Sequence, residues 1–146
     1  MTAPTNTPPP TAAPVEHRIR VYWEDTDAGG VVFYANYLKF FERARTEWLR
    51  ALGVGQQALR DATGAIFVVT DTTVRYRAPA RLDDELRVTV SLRQQGTASM
   101  TIAQQAWCIG PGGDRLLAEG DIRIGCVDHG TFRPRRIPIE VIQTLA

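Results

Sequence analysis

The chain has 146 residues, 44% of them hydrophobic, which is enough to bury one core and suits a single domain. Its 17 Lys and Arg against 16 Asp and Glu leave a net charge of +1, which argues against a nucleic-acid binder held by bulk electrostatics. No apolar run approaches the ~20 residues of a membrane span, and Cys108 and Cys126 lack metal-ligand spacing and read as reduced thiols of a cytoplasmic protein.

Residues 1–16 open with MTAPTNTPPPTAAPV, five prolines among small polar residues. With neither a basic nor an apolar signal region, they read as a disordered tail. Residues 17–146 then form one domain. The alternation of Arg18, Ile19, Arg20, Val21, Tyr22 and Trp23 predicts a short strand over 18–23, followed by an Asp- and Gly-rich turn over 24–30. From 32 to 52 the period becomes helical. Tyr37, Phe41, Ala44, Trp48 and Leu52 share one arc, Leu38, Phe40, Leu49 and Ala51 widen it, and Gly53 stops it.

A shorter helix is expected over 55–62. Strands follow over 66–77, 86–92, 99–109 and 115–127, the second with clean alternation of Leu86, Val88, Val90 and Leu92 against Arg87, Thr89, Ser91 and Arg93. Short connections at 94–97 and 110–114 imply antiparallel neighbours, and Asp83 and Asp84 mark a turn. Pro138 can open a last helix. The expectation is an α+β domain in which a four-strand meander, joined by the first strand, wraps one long helix as an antiparallel sheet. Alternating β-α units are missing, which excludes a doubly wound fold.

The run Glu24-Asp25-Thr26-Asp27-Ala28-Gly29-Gly30 concentrates carboxylates between a strand and the main helix. Four readings fit it. The aspartates can cap a turn or a helix start, ligate a divalent metal, or serve phosphoryl transfer on a parallel framework, which this chain lacks. One of them can also attack, or activate water at, an electrophilic carbonyl whose oxygen is held by helix-start N–H groups. Composition and spacing leave these open. Elsewhere, Arg45 with Glu42 one turn back reads as a structural ion pair or as a contact to substrate or a partner subunit. Arg133, Arg135 and Arg136 form a solvated basic run or a phosphate clamp.

The segment VYWEDTDAGGVVFYANYLKFFERARTEWLRALGV, residues 21–54, resembles the Tol-Pal-associated acyl-CoA thioesterases and, less closely, the 4-hydroxybenzoyl-CoA thioesterases. The likeness continues through VRYRAPARLDDELRV, residues 74–88, and GDIRIGCVD, residues 120–128. It implies a hot-dog fold with the long helix as filling, assembled as a homodimer or homotetramer. It also implies hydrolysis of short-chain or aromatic acyl-CoA thioesters to free acid and coenzyme A. On that resemblance Asp27 is the catalytic carboxylate, acting as nucleophile or general base, and the backbone N–H of Tyr34 faces the thioester oxygen. Gly30, Val31, Glu42, Arg133 and Arg135 are the expected substrate contacts. Neither a metal nor a cofactor is called for, because the coenzyme A thioester is the substrate. Tyr34 stands where the Tol-Pal branch has His and the hydroxybenzoyl branch has Tyr, which bears on the acyl group more than on the reaction. A non-catalytic acyl-binding module and an acyl-carrier-protein thioesterase are the alternatives.

Overall fold

The computed structural model describes residues 15–145. The tail reading therefore lies outside the described residues, apart from Val15 and Glu16, which already pair in the first strand. That strand, β1 (Val15–Arg20), runs antiparallel to β3 (Glu85–Gln95), from Val15 opposite Val90 to Arg20 opposite Glu85. It starts and ends earlier than the alternation suggests. β3 begins at Glu85, so past Arg20 Val21 pairs only with the Asp83–Asp84 turn among the described residues, and Trp23–Asp25 close into a single 3-10 turn.

Helix α1 (Asn36–Ala51) presses Tyr37, Phe40, Phe41, Ala44, Trp48 and Leu49 onto the sheet. It begins four residues later than its periodicity indicates, because Val31 and Val32 are extended. Val32 donates to the Ala80 carbonyl at 2.9 Å, and Val31 bridges Arg81. Its far end matches the expectation: Gly53 takes φ +88°, the left-handed geometry that glycine adopts without strain. α2 (Gln56–Thr63) follows.

Strands β2 (Ala65–Tyr76), β4 (Ser99–Cys108) and β5 (Arg115–Asp128) complete one antiparallel sheet in the order β1-β3-β4-β5-β2. Only β3, β4 and β5 form a meander, so the four-strand meander is corrected. β2 lies at the far edge against β5, and residues 77–84 carry the chain back across the sheet end to β3, a span too long for a tight hairpin. The Asp83–Asp84 turn sits in that connection, with Asp83 at φ 72° and the Asp84 carboxylate accepting from the Arg81 amide. The last helix, α3 (Ile139–Leu145), starts just after Pro138.

The sheet curls around α1, the α+β hot-dog architecture. They approach closely at Gly120, where a Cβ would come within 3.3 Å of the Phe41 ring and 3.0 Å of the Thr73 carbonyl oxygen. Beside it, buried Gln104 donates through Nε2 to the Phe41 carbonyl at 3.0 Å and accepts from Arg45 Nη1 at 2.8 Å. This corrects the Arg45–Glu42 ion pair, which is not formed among the described residues. A buried amide oxygen under the helix is costly to leave without a donor, and Arg45 is the group that reaches it. Burial lowers the pKa of Arg45, and the Glu42 charge partly offsets this. Between α1 and β2 the sheet is left uncovered as an apolar groove of ≈ 330 Å³, lined among others by Leu38, Glu42, Arg45, Phe67, Val69 and Ile122.

Candidate active site

The two aspartates of the Asp25-Thr26-Asp27 run have opposite environments. Asp25 is only 4% exposed. Its Oδ2 accepts the Tyr22 amide at 2.8 Å and its Oδ1 accepts Asn36 Nδ2 at 2.9 Å, while its carbonyl accepts the Phe33 amide at 3.0 Å. Both carboxylate oxygens thus serve to tie the turn after β1 to the first residue of α1. A buried carboxylate needs such donors, and here they come from the two segments that must be held together.

Asp27 projects from the tip of a small loop. Its amide donates to Val31 O at 2.9 Å, its carbonyl accepts from Gly30 at 3.0 Å, and Gly30 turns the chain at φ +81°. The Thr26–Val32 bridge closes the loop. The exposed carboxylate of Asp27 accepts one bond among the described residues, from the Gly29 amide at 2.8 Å. Asp27 also lines an open depression of ≈ 510 Å³ with Trp23, Thr26, Ala28, Gly30 and Leu82. Its geometry is that of an oriented anion with unused lone pairs in a solvent-accessible recess, suited to attack on a carbonyl carbon or to proton abstraction from water.

Tyr34 lies just before α1, 64% exposed, with its ring 5.0 Å from that of Phe33. Among the described residues the N–H groups of Tyr34 and Ala35 donate to nothing, as expected for the first amides of a helix that no side chain caps. They carry the positive end of the helix dipole and suit a developing oxyanion.

Of the other expected contacts, Gly30 lines the depression and Val31 builds the loop through its carbonyl. Glu42 lies in the groove along α1, away from the Asp27 recess. Arg133 and Arg135 are not brought to Asp27. The Asp27 loop is joined through Val31 to Arg81, near the start of β5, where Arg115 donates to Pro79 O. Arg133 follows the end of that strand of 14 residues, a separation on the order of 40 Å along it. Arg135 is already engaged, donating to Thr63 O at 2.6 Å at the end of α2. Trp23, Leu82 and Asn36 went unnoticed in the sequence. Asn36 had a weak signal as a polar residue at the helix start; Trp23 and Leu82 had none, since only the fold brings them beside Asp27.

Residues 21–145 match the Thioesterase-like superfamily. The chain belongs to that family. It is 44% identical over 124 residues to the acyl-CoA thioester hydrolase YbgC of Escherichia coli O6:H1, covering 85% of this chain and 90% of that protein. It is 41% identical over 123 residues to the acyl-CoA thioesterase YbgC of Haemophilus influenzae, covering 84% and 88%. The crystal structure of 4-hydroxybenzoyl-CoA thioesterase from Pseudomonas sp. strain CBS-3 superposes with a TM-score of 0.83 over 91% of this chain and 99% of that one, at 19% identity, a likeness of fold. Among the described residues no group of His, Cys, Asp and Glu is placed to hold a metal ion, and no helix is long and apolar enough to cross a membrane.

Proposed function

We propose that this family member hydrolyses acyl-CoA thioesters to free acid and coenzyme A, with Asp27 as the catalytic carboxylate. The observation that carries the reading is the contrast within one loop. Asp25 has both oxygens engaged and buried, whereas Asp27 presents its carboxylate to an open recess, in a loop that Asp25 fastens to a helix start whose first N–H groups donate to nothing among the described residues. The thioester oxygen accepts from the Tyr34 N–H, which stabilises negative charge as the carbonyl becomes tetrahedral. Asp27 either adds to the carbonyl carbon, expelling the thiolate to leave a mixed anhydride that water cleaves, or takes a proton from the attacking water. Coenzyme A thiolate is a good leaving group, so neither route needs a strong general acid.

Asp27→Asn keeps the size and the Gly29 contact but removes the charge. Thiol release from short-chain and aromatic acyl-CoA substrates is expected to fall by about 100-fold or more, with the melting temperature little changed. Turnover above a few per cent of wild type would remove Asp27 from its role. Label that enters Asp27 in a single turnover in ¹⁸O-water marks the anhydride route with opening at the aspartyl carbon, whereas opening at the acyl carbon and the general-base route both put the label in the free acid.

The active unit in this reading is at least a dimer. Among the described residues β2 is an edge strand whose far side is unpaired, and the apolar groove beside it is open. Two β2 edges meeting about a twofold axis would run antiparallel, which sets the Arg133 end of one sheet beside the Asp27 end of the other. Each site would then draw basic groups for the coenzyme A phosphates from its partner. Light scattering with parallel assays over a dilution series is expected to show turnover lost as the protein dissociates; a fully active monomer contradicts the arrangement.

A further inference from the structure

Tyr76 is the last residue of β2, opposite Ala118 of β5, and the next amide, Arg77, donates to Leu117 O at 2.7 Å. The ring is therefore carried on a firmly paired strand end. It packs edge-on against Tyr34 at 6.1 Å between centroids and against Tyr37 at 5.6 Å. Its hydroxyl donates to the carbonyl of Tyr34 at 3.0 Å. Among the described residues that carbonyl otherwise accepts only a long bond, 3.4 Å, from the Tyr37 amide.

An amide plane is rigid and trans, so its N–H points away from its C=O. The plane before Tyr34 is held by Asn36, whose amide donates to Phe33 O at 2.8 Å. The plane after Tyr34 is held by the Tyr76 hydroxyl. Both peptide units that flank Tyr34 are thus anchored through their oxygens, and the N–H groups left over are those of Tyr34 and Ala35. A helix start that no side chain caps is free to fray, and an oxyanion donor that frays loses the preorganisation that gives it catalytic worth.

We propose that Tyr76 is a positioning residue for thioester hydrolysis, its hydroxyl fixing the Tyr34–Ala35 peptide so that the N–H groups before α1 stay aimed at the thioester oxygen. The assignment rests on the reading of Asp27 and Tyr34 as the reacting site. Donation to the carbonyl also polarises that amide and strengthens its N–H, that of Ala35, as a second donor beside the Tyr34 N–H. Burial, and secondarily Tyr34, raise the pKa of the phenol, so it remains a donor throughout the neutral range. Tyr34, whose carbonyl would lose the bond, is 64% exposed, so removing the Tyr76 oxygen leaves no buried polar group stranded.

Tyr76→Phe keeps the ring and its aromatic contacts and deletes one oxygen. Steady-state thiol release should show kcat lowered by about tenfold with KM within about twofold and an unchanged melting temperature. A structural contribution would instead lower the melting temperature and leave kcat of the folded fraction alone; that result, or a wild-type kcat, overturns the assignment. Asp27→Asn is run alongside. If it is inactive while Tyr76→Phe turns over normally, only the role of Tyr76 falls. If Asp27→Asn is active, the site itself is misplaced and the inference falls with it.

Discussion

At one end of the sheet polar groups are left over, and at the other they are consumed. Around Asp27 the carboxylate has one internal donor and two backbone N–H groups have no acceptor among the described residues. Around Asp128, at the end of β5, the carboxylate accepts from the amides of Gly130 and Thr131 and from the Thr131 hydroxyl, and Arg135 closes the end of α2 through Thr63 O. Both ends carry an aspartate in a tight loop beside a helix terminus. What differs is whether the loop satisfies its own aspartate. A loop that does so fully is a structural joint, and one that leaves capacity unused is equipped to meet a ligand.

Moving the unused carboxylate out of play, as in Asp27→Asn, is the largest perturbation available to this contrast. Next comes Asp25→Asn, which tests whether Asp25 really belongs with the joints. The structure places it in a buried junction where both oxygens accept, so an amide NH₂ there must face either Tyr22 N–H or the Asn36 amide. Denaturant unfolding is expected to register a loss of roughly 2 kcal/mol, with turnover reduced because the loop and helix start come apart. A variant as stable as wild type would return Asp25 to the exposed side of the comparison. Arg135→Ala, at the consumed end, is expected to lower stability by about 1 kcal/mol and leave kcat where it was. A kcat defect greater than the stability loss explains would move Arg135 into the chemistry.

The smallest expected effect concerns acid. Hydrogen bonds from Thr131 and Gly130 hold the pKa of Asp128 below its ordinary value in the folded chain. A carboxyl depressed on folding adds stability that is fully present above its unfolded pKa, ~3.9, and that is lost as pH falls through the lower, folded one. Asp128→Asn should therefore flatten the fall of melting temperature below about pH 4 while having little influence on its slope between pH 6 and 8. An unchanged acid limb would show that the loop bonds do not persist in solution.

The same contrast explains what could be read from the residues. The helix arc of Tyr37, Phe41, Ala44 and Trp48 and the alternation along β3 are local periodicities, and both elements were legible for that reason. The start of α1 was not. Val31 and Val32 fit a helical period as well as an extended one, and only the distant Ala80 and Arg81 decide for extension. The place of β2 beyond β5 depends on a crossing of the sheet end that leaves no short-range mark. Within the site, the Asp-x-Asp run and Tyr34 stood out through resemblance, whereas Trp23 and Leu82 are neighbours of Asp27 only after 21–32 and 80–82 have docked. The bond from Arg135 to Thr63 O had no mark in the sequence, because a basic run carries no sign of which guanidinium a helix end will take up.

Trp23 also gives the molecule a built-in optical probe. Of the three tryptophans, Trp48 is buried on the sheet-facing side of α1 and the Trp107 ring lies beneath the Arg87 guanidinium at 5.2 Å, while Trp23 is 79% exposed on the wall of the Asp27 recess. An apolar acyl group settling there takes water from one indole and leaves the other two as they were. Emission from the unlabelled protein should then shift to the blue on binding, before any bond is broken, and Trp23→Phe should abolish the shift. Loss of the fold would report from Trp48 in the opposite direction, toward the red, so occupancy and unfolding can be told apart in one cuvette.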